Sequence, residues 1–265
     1  MASADDFKSA ERGGAGDVRD MGLFQIFNIA VQIRRMGISH MLLQAQDGIV
    51  ASGPFAGMKL LPEVVFGDGN MPAMLLGCYE AELHPAIGQA VARNPALIVN
   101  IGCAEGYYAV GLARLLPQAR VFAFESNQKG QDICRRTAAA NRIGNRLTVA
   151  GTCEIDTLRR VLPQTGRPLL IVDCEGAEVE LLHPARVPET LHCDMIIECH
   201  DFAKENATQI LRSRFSASHD VVDIGEGPRD PSQFASMRSW HSTDRWLAVN
   251  ELRPVAMNWL ACWAR

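Results

Sequence analysis

The sequence predicts an α/β fold built on a largely parallel sheet, and two features of the chain support this. Apolar runs that suit β-strands begin about every 20 to 28 residues, near Leu97, Val121, Leu147, Leu169, Met195 and Val221. Segments with helical patterns lie between most of them, over residues 107–116, 129–142, 155–162, 177–182 and 203–212. Strands and helices that alternate at this spacing are typical of βαβ units. The runs 96–99 and 169–172 are apolar without alternation, as in strands with helices on both faces.

Composition limits the size and the class of the protein. The chain has 265 residues, of which 48% are apolar and 21% are charged, with a net charge of −4. This length suits one large domain with an extension, and the apolar fraction excludes a mostly disordered chain. The mild acidity gives no electrostatic case for a nucleic-acid partner. It says nothing against a small substrate, whether anionic or neutral.

The N-terminal part differs from the rest, and we expect three regions: a disordered tail over 1–20, a helix and hairpin extension over 21–80, and the main domain over 81–265. The tail is polar and lacks the apolar stretch of a secretory signal, so we expect a cytoplasmic protein. The run 21–43 is interrupted by polar residues and does not suit a membrane span. Its apolar positions suit one face of a docking helix: Leu23, Phe24, Phe27, Ala30 and Val31. That face would pack on the body of the protein or in a homodimer, with membrane-surface binding as an alternative. Turn residues within 49–60 indicate a short extended or hairpin segment.

The cysteines favour free thiols. Eight are present and none forms a CxxC pair, so a zinc site or a redox pair is not expected. Most lie in apolar runs, as buried free cysteines do. Cys103, Cys153, Cys174 and Cys199 fall at or just after proposed strand ends, where small residues would line a cleft.

A glycine turn and an acidic residue follow the first two strands. The first strand leads into Gly102 and Gly106, and a helix comes next. This spacing matches neither the dinucleotide loop nor the P-loop, but it lets a ligand without phosphates approach the backbone closely. Glu125 ends the second strand about 20 residues later, where a carboxylate can accept hydrogen bonds from both ribose hydroxyls. The third strand ends at Thr152 and Cys153, near the expected position of an adenine.

Ionisable residues end the fourth and fifth strands. Asp173 follows the fourth strand, and Glu198 and His200 follow the fifth, which makes this edge a candidate for chemistry. These three could also form a metal site, but we expect no metal. Glu178 and Glu180 begin a helix, where their negative charge suits the helix dipole, and we interpret them as capping residues.

Together these residues resemble a class I S-adenosylmethionine-dependent methyltransferase, and more narrowly the FkbM family. The family pairs a V-[DN]-[IV]-G-x-x-x-G-Y-[YF] loop with a strand-end acid and a D-x-E-G-x-E segment. Here these are residues 99–108, Glu125 and residues 173–178. Residues 77–80 resemble a G-x-Y-E element of some members. The resemblance covers roughly 77–202. Asn100 is a departure, because many members have Asp there, and the amide lacks a charge near the cofactor's ammonium group.

The resemblance implies a seven-stranded sheet whose last strand, placed at 254–263, runs antiparallel. It implies S-adenosylmethionine as the cofactor, held by Glu80, Asn100, Gly102, Cys103, Ala104, Gly106, Tyr107, Glu125, Ser126, Thr152, Cys153 and Asp173. It also implies O-methylation of a small molecule or a sugar, with His200 as the first candidate for the general base and Asp173 or Glu198 orienting it or the substrate. Residues 224–246 suit a lid or a pocket wall. Two alternatives stay open, a nicotinamide-dependent oxidoreductase and a non-catalytic S-adenosylmethionine-binding module.

Overall fold

A computed structural model describes residues 22–65, 67 and 70–265 of the chain. The tail predicted over 1–20 lies outside the described residues. The strands are β1 (Leu97–Ile101), β2 (Arg120–Phe124), β3 (Leu147–Ala150), β4 (Leu169–Val172), β5 (Asp194–Cys199), β6 (His219–Gly225) and β7 (Asn258–Ala264). The helices are α1 (Leu23–Gln46), α2 (Met71–Leu76), α3 (His84–Ala92), α4 (Tyr107–Leu115), α5 (Gln128–Ala140), α6 (Ile155–Val161), α7 (Glu178–Leu181), α8 (Ala207–Phe215) and α9 (Ser242–Val249). Short 3-10 helices cover Ala81–Leu83, Pro188–His192, Pro231–Gln233 and Ala235–Met237.

The seven strands form one sheet in the order β3-β2-β1-β4-β5-β7-β6. Strands β1 to β5 pair in parallel, whereas β7 runs antiparallel to both β5 and β6. This confirms the predicted seven-stranded, mostly parallel sheet, and the fold is that of the class I methyltransferases. Two element positions differ from expectation. The helix expected over 203–212 is α8, which begins at Ala207, and the last strand begins at Asn258 rather than at Pro254. Proline has no amide hydrogen to donate to a strand ladder, which fits its place outside β7.

Apolar side chains leave the strands in both directions, as expected for a sheet covered on two faces. Along β1, Ile98 belongs to one buried cluster, whereas Val99 and Ile101 belong to another. The first cluster contains apolar side chains of α3, α4 and α5, and the second contains those of α6 and α8. Because β1 to β5 pair in parallel, their carboxyl ends all lie at one edge of the sheet.

Helix α1 forms as predicted, but the predicted packing face is wrong for this single chain. Leu23, Phe24 and Phe27 are exposed, and the buried residues are Arg35, Ile38, Ser39 and Leu42 in the second half of the helix. Helix α1 contacts α2 and α9, and its buried Arg35 donates to the carbonyl of Asn250, just after α9. In the first half, Arg34 donates to Asp244 of α9 at 2.7 Å, but most of the apolar side chains there stay exposed. Among the described residues, no helix is both long and apolar enough to cross a membrane.

The hairpin predicted over 49–60 is reduced to one antiparallel bridge, between Ile49 and Lys59. Turns occupy the segment between them, and the Asn141 side chain holds both the amide and the carbonyl of Lys59, at 2.9 and 2.8 Å. Phe55 lies against Gly111 of α4, where an added Cβ would come within 2.5 Å of the ring. The segment therefore packs as a loop on the main domain.

Candidate active site

The turn after β1 brings the backbone of two strands into close contact. Gly102 and Gly106 have φ angles of +78° and +93°, which glycine adopts without a steric penalty. A Cβ on Gly102 would lie 1.5 Å from the carbonyl oxygen of Asp173. The turn can therefore approach the end of β4 only because residue 102 has no side chain.

Glu125, at the end of β2, is bonded to this turn. One of its carboxylate oxygens accepts from the Ala104 amide at 2.9 Å, and the other accepts from the Asn127 amide at 2.7 Å. The residue is only half-buried. The Ser126 hydroxyl donates to the second of these oxygens over a longer 3.4 Å. Since an ionised carboxylate has about four acceptor positions, Glu125 can still accept from a ligand hydroxyl. The ribose contact that the sequence predicts for Glu125 stays a prediction.

The side-chain amide of Asn100 is buried, and its oxygen lacks a hydrogen-bond donor among the described residues. Its side-chain nitrogen lies 3.4 Å from the Ile171 carbonyl, and within the described residues nothing donates to its side-chain oxygen. Buried polar atoms usually have a partner, so an acceptor without a donor beside the glycine turn favours a donor from outside the chain. An ammonium group, such as that of S-adenosylmethionine, would supply one. The residues present therefore fit this cofactor.

The other residues predicted to contact the cofactor lie around the same edge of the sheet. Ser126 and Thr152 are exposed, whereas Cys103 and Cys153 are buried. Tyr107 is buried as well, and its ring packs edge-on against Phe55 and Tyr79 at 5.1 and 5.4 Å. Its ring therefore belongs to an aromatic cluster beneath the turn, so any contact with a ligand would come from its backbone.

A cleft of about 310 Å³ opens at the ends of β4 and β5. The three residues predicted to be catalytic, Asp173, Glu198 and His200, all line it, and so does Glu80. These residues are far apart in sequence, and the shared sheet edge brings them together. The segment 224–246, predicted to be a lid or a pocket wall, does not line this cleft, whose outer wall comes from residues 251–254 and Met257.

His200 is almost fully buried, at 2% exposure, and is held from one side. Its Nδ1 lies 2.8 Å from a carboxylate oxygen of Glu178. Its Nε2 lies 3.5 Å from Glu175, 3.6 Å from Asp173 and 3.8 Å from Glu198. Burial lowers the pKa of His200, but the hydrogen bond and charge of Glu178, with Glu198 and Glu175, outweigh burial, so the pKa is raised. The imidazole is therefore a stronger base than an exposed histidine.

The carboxylates that line the cleft outnumber its cationic side chains, and this raises the pKa of two of the acids. Arg253 forms ion pairs with Glu80, Glu198 and Glu251. Burial, followed by the charge of Glu198, still raises the pKa of Glu80 to about 8. The same two causes hold the pKa of Asp173 well above its usual value. One arginine thus does not neutralise this group of acids, and the cleft favours protonated or cation-bound forms.

Two important residues were missed or given another role at the sequence level. Arg253 was missed, because it lies in a loop without any recognised motif. Glu178 was interpreted as a helix cap, but its carboxylate is fully buried and contacts His200. Glu178 is the last Glu of the D-x-E-G-x-E segment, and this motif is the feature of the sequence that points to a role beyond capping.

One set of side chains in the described part of the chain has the spacing of a cation site. Asp173, Glu175 and His200 each offer one ligand atom, and these atoms lie within 4.8 Å of one another. The sequence suggests Asp173, Glu198 and His200 for such a site. In the structure, Glu175 rather than Glu198 completes the cluster. Oxygen and nitrogen donors of this kind suit divalent cations in general.

Neither a protein-family model nor a curated protein sequence matches the chain. Similar solved structures include the O-methyltransferase TomG from Streptomyces achromogenes in complex with SAM, with 11% identity, 99% of this chain and 97% of that chain covered, and a TM-score of 0.47. An O-methyltransferase from Bacillus cereus in complex with SAH is 15% identical, and the match covers 86% of this chain and 90% of that chain with a TM-score of 0.44. A precorrin-6y C5,15-methyltransferase from Geobacter metallireducens is 10% identical, and the match covers 69% of this chain and 88% of that chain with a TM-score of 0.43. The fold assignment rests on the strand order and strand directions of the sheet.

Proposed function

We propose that this protein is an S-adenosylmethionine-dependent methyltransferase of the FkbM kind that methylates a hydroxyl group on a small molecule or a sugar. The observation that carries the proposal is the meeting of two groups of residues at one sheet edge. The glycine turn and Glu125 lie at the ends of β1 and β2, and the cleft with His200 lies at the ends of β4 and β5. A cofactor held by the first group would reach the second.

The chain's own residues would hold the cofactor through three kinds of contact. The side-chain oxygen of Asn100 would accept from the ammonium group, and the carboxylate of Glu125 would accept from the ribose. The backbone of the turn between Gly102 and Gly106 lets the ligand lie close to the sheet. When bound, S-adenosylmethionine supplies a methyl group already activated on a sulfonium centre, so the protein contributes mainly positioning and the exclusion of water.

His200 is the group proposed to take the proton of the acceptor hydroxyl, at its Nε2 atom. A hydroxyl is a weak nucleophile at neutral pH, and a placed general base contributes about 10²- to 10⁴-fold in rate. Asp173 and Glu198 line the same cleft and would orient the acceptor or the imidazole. Since His200 must be neutral to accept a proton and its pKa is raised, turnover should increase with pH through its titration.

Cofactor identity is tested by calorimetry and thermal unfolding. The protein should bind S-adenosylmethionine and be stabilised by it, whereas NAD should have no effect. Glu125→Ala should weaken binding at least about 10-fold, because one hydrogen bond to a charged group is worth about 1.5–3 kcal/mol. The exposed Glu205 gives a matched control, and Glu205→Ala should bind normally. Stabilisation by NAD instead would favour the oxidoreductase alternative, and equal affinity in Glu125→Ala would remove the ribose role.

Methyl transfer is tested with labelled cofactor and a panel of hydroxylated acceptors. Once an acceptor is found, His200→Ala should lower kcat by about 10²-fold or more while cofactor affinity stays near that of the wild type. Wild-type turnover in this variant would exclude His200 as the base. Cofactor binding without transfer to any acceptor would support the non-catalytic alternative.

A further inference from the structure

Glu178 occupies a position that helix capping does not explain. Its side chain is fully buried, and a single carboxylate oxygen accepts three hydrogen bonds. The donors are Nδ1 of His200 at 2.8 Å, the Cys174 amide at 3.1 Å and the Gly176 amide at 3.2 Å. The neighbouring acid on α7, Glu180, is exposed and forms a long ion pair with Arg186, at 3.4 Å. Glu178 therefore joins the end of β5 to the loop after β4.

We propose that Glu178 is a positioning residue, which keeps the proton of the neutral His200 ring on Nδ1 so that Nε2 is the atom that accepts the proton of the substrate. This inference rests on the proposed function, in which His200 is the general base. Glu178 is fully buried and does not line the cleft, so it would act through the imidazole.

The geometry around the ring supports this tautomer. A neutral imidazole has one N–H and one lone pair, and the hydrogen bond made by one nitrogen decides which nitrogen keeps the proton. The carboxylate of Glu178 can only accept, so Nδ1 must donate. The lone pair is then on Nε2, whose separations of 3.5 Å from Glu175 and 3.6 Å from Asp173 exceed those of N–H···O bonds, about 2.7–3.2 Å. The Phe202 ring packs edge-on against the imidazole, with centroids 5.6 Å apart.

The same oxygen also sets the shape of the loop that faces Nε2. Glu175 and Gly176 have φ angles of +56° and +104°, so the loop turns sharply between Asp173 and α7. The two loop amides that donate to Glu178 lie on either side of Glu175. Glu178 thus holds the ring and the acids around it in one arrangement, as a second carboxylate does for catalytic histidines in general.

The test is a Glu178→Gln variant measured by NMR with ¹⁵N-labelled histidine. The protein has seven histidines, and a His200→Gln spectrum identifies the His200 signals. The titratable groups that face the ring are Glu178 on α7, Asp173 and Glu175 on the loop, and Glu198 on β5. In the wild type we expect the neutral ring to be protonated at Nδ1. In Glu178→Gln we expect a lower His200 pKa, because one anionic partner is lost, and a population protonated at Nε2.

Activity gives a second readout, which a merely structural role would not produce. The acid limb of the kcat profile should move to lower pH in Glu178→Gln, and its plateau should fall about 10- to 100-fold, within the contribution of a general base. Glu180→Gln is the matched control from the same helix and should change neither the NMR titration nor the rate.

Two results would overturn the proposal: an unchanged His200 pKa and tautomer in Glu178→Gln, or a wild-type neutral ring protonated at Nε2. The second measurement needs no variant, so it decides the matter even if Glu178→Gln does not fold. Absence of methyl transfer by the wild type would instead refute the proposed function, while the NMR result would still show whether Glu178 sets the tautomer.

Discussion

At the scale of single residues, Gly102 is the position where one added carbon has the largest expected effect. The Cβ of Gly102→Ala would overlap the Asp173 carbonyl, and its φ of +78° is unfavourable for alanine. Backbone atoms cannot move aside as a side chain can. We expect the free energy of unfolding to fall by about 3 kcal/mol or more, from strain and overpacking together. Urea denaturation measures this loss.

Gly88 provides the control for that substitution. It lies exposed in α3, and an added Cβ there meets nothing within 4 Å. Because glycine destabilises a helix interior relative to alanine, Gly88→Ala should stabilise the protein by about 0.5–1 kcal/mol. A Gly102→Ala variant as stable as the wild type would show that the turn after β1 and the end of β4 are not in the close contact described.

Glu80 should make stability depend on pH. Its pKa is raised from 4.5 to about 8, first by burial and then by Glu198, so the folded protein keeps this proton at pH values where the unfolded chain has released it. Folding then takes up a proton, and the contribution of Glu80 to stability is complete below pH 4.5 and is lost as pH rises toward 8. The melting temperature should therefore fall less between pH 5 and pH 8 in Glu80→Gln than in the wild type.

Glu63 is a suitable comparison for this experiment. It is partly exposed and paired with Arg136, which, as the largest influence, lowers its pKa. Glu63→Gln should therefore follow the wild-type curve between pH 5 and pH 8. Parallel curves for Glu80→Gln and the wild type would contradict the raised pKa of Glu80.

At the scale of elements, the first half of α1 is exposed where apolar residues are usually covered. Phe24, Phe27 and Ile33 are 61%, 62% and 64% exposed. The predicted homodimer through this helix would bury them, and contiguous apolar patches on soluble proteins often mark interfaces. We expect light scattering to show a dimer for the wild type and a folded monomer for the double variant Phe27→Ser with Ile33→Ser.

Leu115, at the end of α4, is an exposed apolar residue away from this helix, at 38% exposure. Leu115→Ser should leave the oligomeric state unchanged. A wild-type protein that stays monomeric at every concentration measured would refute the dimer and leave the apolar half of α1 for a different partner.

At the scale of the whole molecule, the thiols report how the fold opens. Seven of the eight free cysteines are buried, and Cys174 is half-buried. Buried thiols react with an alkylating reagent only when the structure opens, and a ligand that binds the folded state suppresses global opening by a factor of about 100 at 100 times its dissociation constant. S-adenosylmethionine should therefore slow alkylation of the buried thiols strongly and of Cys174 less, as mass spectrometry of labelled peptides would show.

NAD is the control for thiol protection and should leave the alkylation rates unchanged. Equal rates with and without saturating S-adenosylmethionine would contradict cofactor binding to the folded state. Protection of Cys174 alone would mean instead that the ligand closes the loop after β4 without stabilising the fold.

Most of the fold could be predicted because it depends on short-range patterns. Apolar runs of strand length, separated by helical patterns, specified a parallel sheet, and the resemblance to a family specified its number of strands and the reversed last strand. Both were confirmed. The carboxyl ends of parallel strands meet at one edge whatever their order, so strand-end residues such as Asp173 and His200 could be expected in one cleft. Their roles stay predictions.

Other features depend on how the elements pack, and periodicity within one element does not report on its partners. The apolar stripe of α1 predicted a buried face, but the buried residues of this helix all lie in its second half. Glu178 has the pattern of a helix cap, yet its buried carboxylate bonds to a histidine 22 residues away. Arg253 comes from a loop without a motif and contacts three acids from different parts of the chain. Local pattern thus decided the sheet and its edge, whereas tertiary packing decided the charges, the hydrogen bonds and the burial on which the chemistry depends.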